Sequence, residues 1–228
     1  SPINNTLISV LLARLKAMSG IIKGDGYPWE TNVLLQNNWA VATNHIISMG
    51  EPIQEDLLAY PKAKLLIAAL NKCSDTLSIT QLEGKLSVKS GKFRALVPCM
   101  PIEDVMRVYP DNAVAGVNDK IKSSIANVAA ITENEDSVVT ASILIHAGSV
   151  VATDRKIILQ SYHGVSLPTL ALPKAIIKPL TDNAKSLKDF GFSNSSCTFY
   201  YDDGSWLKSQ FFNSQWPDVS AILDKQCN

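Results

Sequence analysis

The sequence lacks the patterns that mark membrane-spanning, disulfide-rich or metal-binding proteins. Its 228 residues include only four cysteines, with no C-x-x-C pair and no metal-ligand spacing. Purely apolar runs such as 65–70 fall far short of the ~18 residues that a membrane-spanning helix needs. The apolar stretch 7–12 is short and no cleavage site follows it, so no secretory signal is predicted. We therefore expect reduced thiols, a cytoplasmic location and no cofactor.

A net charge is also lacking, since 21 basic and 21 acidic residues cancel. Nothing in the overall charge therefore points to nucleic acid. The three histidines, His45, His146 and His163, have no companions in the spacing of a hydrolase or a metal site. An enzyme would need a clustered acid–base set, so no catalytic residue is predicted.

What the chain does contain is an internal repeat. The motif Val41-Ala42-Thr43 returns at residues 151–153, and Pro61-Lys62-Ala63 returns at residues 173–175. The motif Met100-Pro-Ile-Glu-Asp-Val105 returns, two residues shorter, as Trp216-Pro217-Asp218-Val219. A repeat of ~110 residues has the size of a domain, above the ~20–50 residues of solenoid repeats. We predict domain 1 over residues 1–100, a connector over 101–116 and domain 2 over 117–228.

Each copy is predicted to combine helices with antiparallel strand pairs, which is an α+β fold. Apolar residues at helical spacing predict the helices 4–19, 61–73 and 118–131. Turn residues indicate hairpins at Asn37-Asn38 and around Gly204. The stretch 51–56 is interpreted as an acidic loop. The remaining helix is predicted over residues 173–180.

Charge is segregated between helices and the rest of the chain. The four helical stretches, taken as 4–19, 61–73, 118–132 and 172–180, hold nine basic residues and one acidic residue. The remainder holds 12 basic and 20 acidic residues. Positive helices suit a polyanion that passes beside them and is attracted through its phosphates. The alternative is that lysines simply decorate solvated helix faces.

The ordered motifs resemble those of the DNA sliding clamps of the bacterial beta type. The stretch 82–98 resembles the family's glycine-turned strand pair, and Val151-Ala-Thr-Asp154 its Ala-Thr-Asp signature. Leu172-Pro-Lys-Ala resembles the start of its channel helix, and Trp216-Pro-Asp-Val its Phe-Pro-Asp element. The chain departs from the pattern at Asn44-His45, where the family has Asp-Gly-His.

The resemblance implies a ring that encircles double-stranded DNA without sequence specificity and tethers a DNA polymerase. Rings of this family have six domains, so two domains per chain imply a homotrimer, with a dimer as the alternative. A clamp loader is the other implied partner, and no enzymatic activity is implied. Two-domain clamps are the size of phage and eukaryotic clamps, so the owner is a phage, acting in the host cytoplasm, or a divergent bacterial element. The competing reading is a clamp-like regulatory module that never encircles DNA.

The resemblance also assigns site residues. Lysines opposite the apolar helix stripes would face the DNA, and Lys23 matches a basic loop position of the beta clamps. The pocket for a polymerase peptide would lie beside the connector, where Arg107-Val-Tyr-Pro110 resembles the family's Arg-Val-Leu-Pro; the subunit interface is the alternative location. The expected DNA-binding residues are Lys16, Lys23, Lys64, Lys72, Lys120, Lys174 and Lys178, and the expected pocket residues are Thr43, Ile47, Val108, Tyr109, Pro110 and Leu223.

Two assignments remain open from the residues alone. Val108 and Tyr109 would serve equally well to pin the connector to the core. The tryptophans Trp29, Trp39, Trp206 and Trp216 are interpreted as core or interface residues because they lie on predicted strands, with base stacking as the alternative.

Overall fold

The chain forms two compact units in a computed structural model that describes residues 3–4, 8–74, 76–131 and 141–212. The first unit comprises residues 1–110 and 203–207, and the second comprises residues 111–202 and 208–228. Both units follow one order: a strand, a helix, four strands, a helix and three strands. The first unit adds one short helix after α1.

The first unit contains strands β1 to β8 and helices α1 to α3. Short 3-10 turns lie at Ser19–Ile21 and Ile102–Asp104. The elements are β1 (Ile3–Asn4), α1 (Ile8–Ala17), α2 (Pro28–Thr31), β2 (Leu34–Gln36), β3 (Trp39–Thr43), β4 (Ile47–Pro52), β5 (Tyr60–Pro61), α3 (Ala63–Asn71), β6 (Ser78–Leu82), β7 (Lys85–Ser90) and β8 (Phe93–Met100).

The second unit contains strands β9 to β15, helices α4 and α5 and the end of β16, whose first two residues belong to the first unit. A 3-10 turn at Lys174–Ile176 leads into α5. The elements are β9 (Ala113–Gly116), α4 (Asp119–Val128), β10 (Ser142–His146), β11 (Ser149–Thr153), β12 (Ile158–Tyr162), β13 (Leu170–Pro173), α5 (Ile177–Thr181), β14 (Leu187–Phe192), β15 (Ser196–Tyr201) and β16 (Trp206–Gln210).

Antiparallel sheets form the framework of both units, which confirms the predicted α+β class. In the first unit β1, β6, β7, β8 and β5 form one sheet in that order, and β2, β3 and β4 form a meander. In the second unit β12, β11, β10 and β13 form one sheet, while β15, β14 and β9 pair in a second. The two Asn residues at the β2–β3 turn have φ values of 54° and 63°, as the predicted tight hairpin requires.

The helices bury one face each and pack in pairs. Helix α1 buries Leu11 and Leu15 and packs against α3, which buries Leu66 and Leu70. Helix α4 begins where predicted, because the Asn118 side chain accepts a hydrogen bond from the Lys120 N–H. It packs against α5, β11 and β12, so each unit presents a two-helix layer on its sheets.

Several sequence predictions are wrong in detail. The stretch 51–56 is not a solvated acidic loop: Glu51 ends up buried in β4, and Glu55 is buried just after it. Residues 113–116 of the expected connector form β9, because they pair with β14. The stretch 173–180 splits into a 3-10 turn and the short helix α5.

Candidate nucleic-acid interface and peptide site

Three predicted lysines lie exposed on the helix pair of the first unit. Lys16 lies on α1 and Lys64 on α3, while Lys72 is the residue that caps the C-terminus of α3. All three project away from the buried leucines of their helices. A cation at a helix C-terminus, as at Lys72, also interacts favourably with the helix dipole.

Lys23 lies on the loop after α1, and the structure brings that loop close to Lys64. A Cβ placed on Gly24 would lie 3.8 Å from the Lys64 Nζ, so the lysine side chain runs along the loop. The Lys23 Nζ lies 2.9 Å from Glu30 Oε1. Hydrogen bonds from Lys23 and from the Tyr27 N–H lower the pKa of Glu30, which stays ionised and offsets part of the Lys23 charge.

The second unit repeats this arrangement with two exposed lysines. Lys120 lies on the first turn of α4 and Lys178 lies on α5, the helix that packs against α4. Each unit therefore carries free ammonium groups on its helix pair.

Lys174 differs from the other predicted DNA-binding lysines, because it is not an exposed cation. Its residue is 8% exposed, and its Nζ donates a hydrogen bond to the Ile131 carbonyl at 2.7 Å. Lys122 is used in a similar way, donating to the carbonyls of Asn183 and Lys185. These two ammonium groups hold backbone segments together, which leaves fewer helix charges available to a polyanion than the sequence suggests.

The two copies of the Ala-Thr motif build the same turn. In the first unit the Asn44 Oδ1 accepts hydrogen bonds from the N–H groups of Ile46 and Ile47. In the second the Asp154 Oδ1 accepts from Lys156 and Ile157. These bonds, that of Ile157 first, lower the pKa of Asp154. Asn44 therefore replaces the family's aspartate without loss of the turn.

The next residue of each turn, His45 or Arg155, has a positive φ, and its N–H donates to the preceding threonine hydroxyl. The threonines themselves, Thr43 and Thr153, are held by these turns. Thr43 Oγ1 also lies 2.8 Å from Ser48 Oγ. The hydroxyl of the expected pocket residue Thr43 is thus engaged within its own turn.

The expected peptide pocket is corrected at Ile47. This side chain is 0% exposed, so it belongs to the core and cannot contact a peptide at the surface. Tyr109 is 69% exposed on the connector, between the half-buried Val108 and Pro110. Leu223 lies outside the described residues. The Tyr109 ring is therefore the most exposed part of the expected pocket.

Sequence reasoning missed a group of exposed cations on a sheet. Lys85 and Lys89 lie on one face of β7, and Arg94 faces Lys89 from β8. The signal was present, because the alternation in Lys85–Ser90 places every second side chain outward. The predicted DNA-facing surface rests on the helices and one loop, so it leaves this face of the sheet out.

The tryptophans have different environments. Trp206 is buried, in agreement with a core role, and Trp39 is half-buried in β3. Trp29 stacks on Tyr27 with ring centroids 6.0 Å apart and contacts His45 at 3.6 Å. Trp216 lies outside the described residues.

Searches within residues 8–74, 76–131 and 141–212 give two further findings. No group of three or more His, Cys, Asp or Glu side chains there could hold a metal ion. No helix of this part of the chain has the length and apolar character to cross a membrane.

The order and pairing of these elements define the fold of the DNA sliding clamps. Solved structures with this fold include the DnaN sliding clamp of Pseudomonas aeruginosa bound to griselimycin, with a TM-score of 0.82 at 16% identity over 97% of this chain and 67% of that one. The beta subunit of the DNA polymerase of Streptococcus pyogenes gives 0.80 at 15% identity over 97% and 67%. The Bartonella birtlesii DnaN clamp gives 0.77 at 15% identity over 97% and 67%.

This likeness confirms the fold that the sequence motifs predicted. The chain spans about two thirds of the length of these clamps. No protein-family model and no curated protein matches the chain.

Proposed function

We propose that this protein is a DNA sliding clamp, a ring of identical chains that encircles duplex DNA and tethers a replicative DNA polymerase. One observation carries the proposal: strand β4 of the first unit is covered, whereas its counterpart β12 in the second unit is not. An uncovered strand edge offers unpaired N–H and C=O groups to another chain. A second copy of the chain is the partner that closes a ring.

The cover of β4 comes from residues 203–207, which belong to the first unit. The Trp206 ring lies so close to Gly50 that a Cβ there would overlap it. The Arg14 guanidinium bonds both Glu51 of β4 and Asp203. Five of the six residues of β4 are buried, Gly50 and Glu51 among them.

Strand β12 has no such cover within the described residues. Its neighbour in the sheet is β11, on one side. The outer Tyr162 side chain is exposed, and no residue of the strand is fully buried. In the first unit β8 has a similar edge, because β5 pairs with it at Cys99 and Met100 alone. Pairing β8 of one copy with β12 of the next would remove both edges.

The number of chains follows from the number of units. Closed rings arise when head-to-tail contacts return to the first chain. The rings that this chain resembles have six domains. Three chains of two units each give that number, so the ring is a homotrimer. A dimer would have four domains and a smaller hole.

The DNA lies against the helix pairs in this proposal. Lys16, Lys64, Lys72, Lys120 and Lys178 attract the phosphates, and Lys23 assists from its loop. Lys174 has no part in it, because its ammonium is held inside the second unit. Contacts to phosphates alone give weak, salt-sensitive binding without base specificity, which suits a protein that slides. The site of action is the cytoplasm, where a clamp loader places the ring on DNA.

The polymerase binds beside the connector through a short peptide. Tyr109 presents the largest exposed side chain there, flanked by Val108 and Pro110. Exposed aromatic residues commonly dominate peptide and protein binding. Tyr109→Ala should therefore remove polymerase stimulation while the ring stays intact, and an equally stimulated polymerase would place the peptide elsewhere.

The ring is tested by native mass and by retention on DNA. At micromolar concentration a mass of three chains is expected, together with retention on closed circular DNA and loss on linearised DNA. A dimer mass with the same topological retention would correct the stoichiometry alone. A single-chain mass would overturn the ring, and a stable ring that circular DNA never retains would favour the regulatory module.

The DNA surface is tested by neutralising the helix lysines together. Replacing Lys16, Lys64, Lys72, Lys120 and Lys178 by Gln should shorten retention and flatten its salt dependence. Gln at the exposed Lys156 and Lys188, which lie outside the helices, serves as the control. Unchanged retention by an intact ring would show that these lysines do not face DNA.

A further inference from the structure

In the second unit, the outward face of strand β15 holds one aspartate of the connector. Ser196 Oγ lies 3.0 Å from each carboxylate oxygen of Asp111, and Thr198 Oγ1 donates to its Oδ2 at 2.9 Å. Thr198 Oγ1 also accepts the Asp111 N–H, and Tyr200 OH donates to the Asp111 carbonyl at 2.5 Å. Three hydroxyl side chains at alternate positions thus hold a single acidic residue.

The connector also lies close to β14, at Gly191. A Cβ at Gly191 would overlap the Asn112 carbonyl, so the backbone of the connector lies directly against the sheet. Ser196 and Thr198 are buried beneath it. The contact is therefore a docking site for an extended segment with an aspartate.

In the first unit, β7 takes the place of β15, as the middle strand between β6 and β8. Both strands have six residues, so Lys85, Ser87 and Lys89 match Ser196, Thr198 and Tyr200. Ser87 is 3% exposed, and its Oγ has no hydrogen-bond partner within the described residues. A buried hydroxyl without a partner loses its hydration without compensation.

The cationic side chains around Ser87 favour the binding of an anion. Lys89 lies directly opposite Arg94 of β8, and like charges opposite each other on neighbouring strands destabilise a sheet. In the part of the chain that the structure describes, no carboxylate pairs with Lys85, Lys89 or Arg94. The outward face of β7 is thus a counterpart of the Asp111 site, with cations added.

The chain contains one segment that matches the connector. Residues 104–111 read D-V-M-R-V-Y-P-D, and residues 218–224 read D-V-S-A-I-L-D. When the two segments are aligned at their first Asp-Val, the second is one residue shorter, and Asp224 at its end matches Asp111. The residues 218–224 lie outside the described part of the chain, so their sequence alone enters here.

We propose that Asp224 of one copy binds the Lys85–Ser87–Lys89 face of the next copy. The connector follows β8, the last strand of the first unit, and its Asp111 binds the face of β15 in the second unit. The segment 218–224 follows β16, the counterpart of β8, and the unit that comes next in the ring is the first unit of another copy. This inference rests on the ring proposed above and identifies a second contact of its subunit interface, apart from the strand edges.

The test measures self-association of the full chain by sedimentation across a range of concentrations. Asp224→Asn should raise the dissociation constant roughly ten- to hundredfold, the usual effect of losing a charge-assisted hydrogen-bonded contact. Lys89→Asp should do the same, and the combination of Asp224→Lys with Lys89→Asp should recover part of the loss. Asp202→Asn and Lys92→Glu, which alter exposed charges at turns, are the matched controls.

The remaining outcomes distinguish a failure of the Asp224 contact from a failure of the ring. If the wild type associates and Asp224→Asn associates equally well, this inference is overturned and the ring stands. If the wild type stays a single chain, the ring itself is overturned. A loss of unfolding stability in dilute single chains, with association unchanged, would place the contact within one copy. Reduced DNA retention by Lys89→Asp without any change in association would make the face a DNA site; both results overturn the inference.

Discussion

Strands β4 and β12 occupy the same position in two copies of one unit, yet one is buried and the other exposed. The turns before them are hydrogen-bonded alike, and each strand pairs with the strand that ends in Ala-Thr. At matching positions of these turns Ile47 is 0% exposed and Ile157 is 53% exposed. Local sequence therefore sets the shape of the strand, whereas its burial depends on what lies against it.

The side-chain contact that joins α1 to β4 also differs from the one that joins α4 to β12. Glu51 of β4 and Ser161 of β12 stand at equivalent register positions, opposite Ala40 and Val150. Arg14 of α1 bonds Glu51, whereas Asn127 of α4 bonds Ser161 at 3.1 Å. The covered strand is held by an ionic contact that also binds Asp203, and the uncovered strand by a neutral one. The ionic contact of Arg14 therefore helps to hold residues 203–207 against β4.

The largest effect is expected from placing a carboxylate at the two matched isoleucines. Ile47→Asp should lower the free energy of unfolding by about 4 kcal/mol, because it buries a charge in the core. Ile157→Asp should change it by less than about 0.5 kcal/mol, since the site is exposed. Denaturant unfolding of dilute protein measures both, and similar losses in the two variants would contradict the comparison.

A smaller effect is expected from the two helix–strand contacts. Arg14→Met should lower the free energy of unfolding by about 2 kcal/mol, because Glu51 is buried and loses its guanidinium partner. Asn127→Ala removes a neutral, exposed hydrogen bond and should cost about 0.5 kcal/mol. The difference between the variants, followed by denaturant unfolding, checks the role of Arg14. An equal cost would show that the ionic contact adds nothing to the cover.

The exposed edge itself is tested by charge. Lysines at Ile158 and Tyr162 should weaken self-association at least tenfold, about 1.4 kcal/mol, because lysine on an edge strand opposes pairing. Lysines at Ile46 and Leu58 are the control, since they add the same two charges at exposed positions outside the strands. Sedimentation at graded concentrations measures both. Equal association of the edge variant and the wild type would exclude β12 from the interface.

The smallest effect concerns buried titratable groups that follow the two strands. Burial raises the pKa of Glu55 after β4 and lowers that of His163 after β12. A raised carboxyl pKa means that the folded state holds its proton longer, so stability falls as the pH rises from 4.5 through the folded-state pKa. Glu55→Gln should flatten this fall and raise the thermal midpoint at pH 7 by roughly one or two degrees. The same slope in both proteins would assign the fall to another group.

The elements that the sequence predicts well are those whose causes are local. The helix that begins at Asn118 and the hairpin at Asn37-Asn38 each depend on residues a few positions apart. Strand β4 was missed because Gly50 and Pro52 are weak strand formers, and its stability comes from Trp206, far along the chain. Lys174 was misassigned for a similar reason, since its ammonium binds a carbonyl at the end of another segment. The exposure of the lysines on α1 and α3 follows from helical spacing alone.

The turn shared by the two units shows how little of the sequence must be preserved for the fold to persist. Two side-chain oxygens, from a threonine and the Asn or Asp after it, shape the turn by binding backbone N–H groups. Any residue that tolerates the left-handed conformation serves at the next position, and histidine and arginine both do so here. The surrounding residues can therefore differ almost completely, which explains how this chain shares the fold of a clamp with which it is only 16% identical.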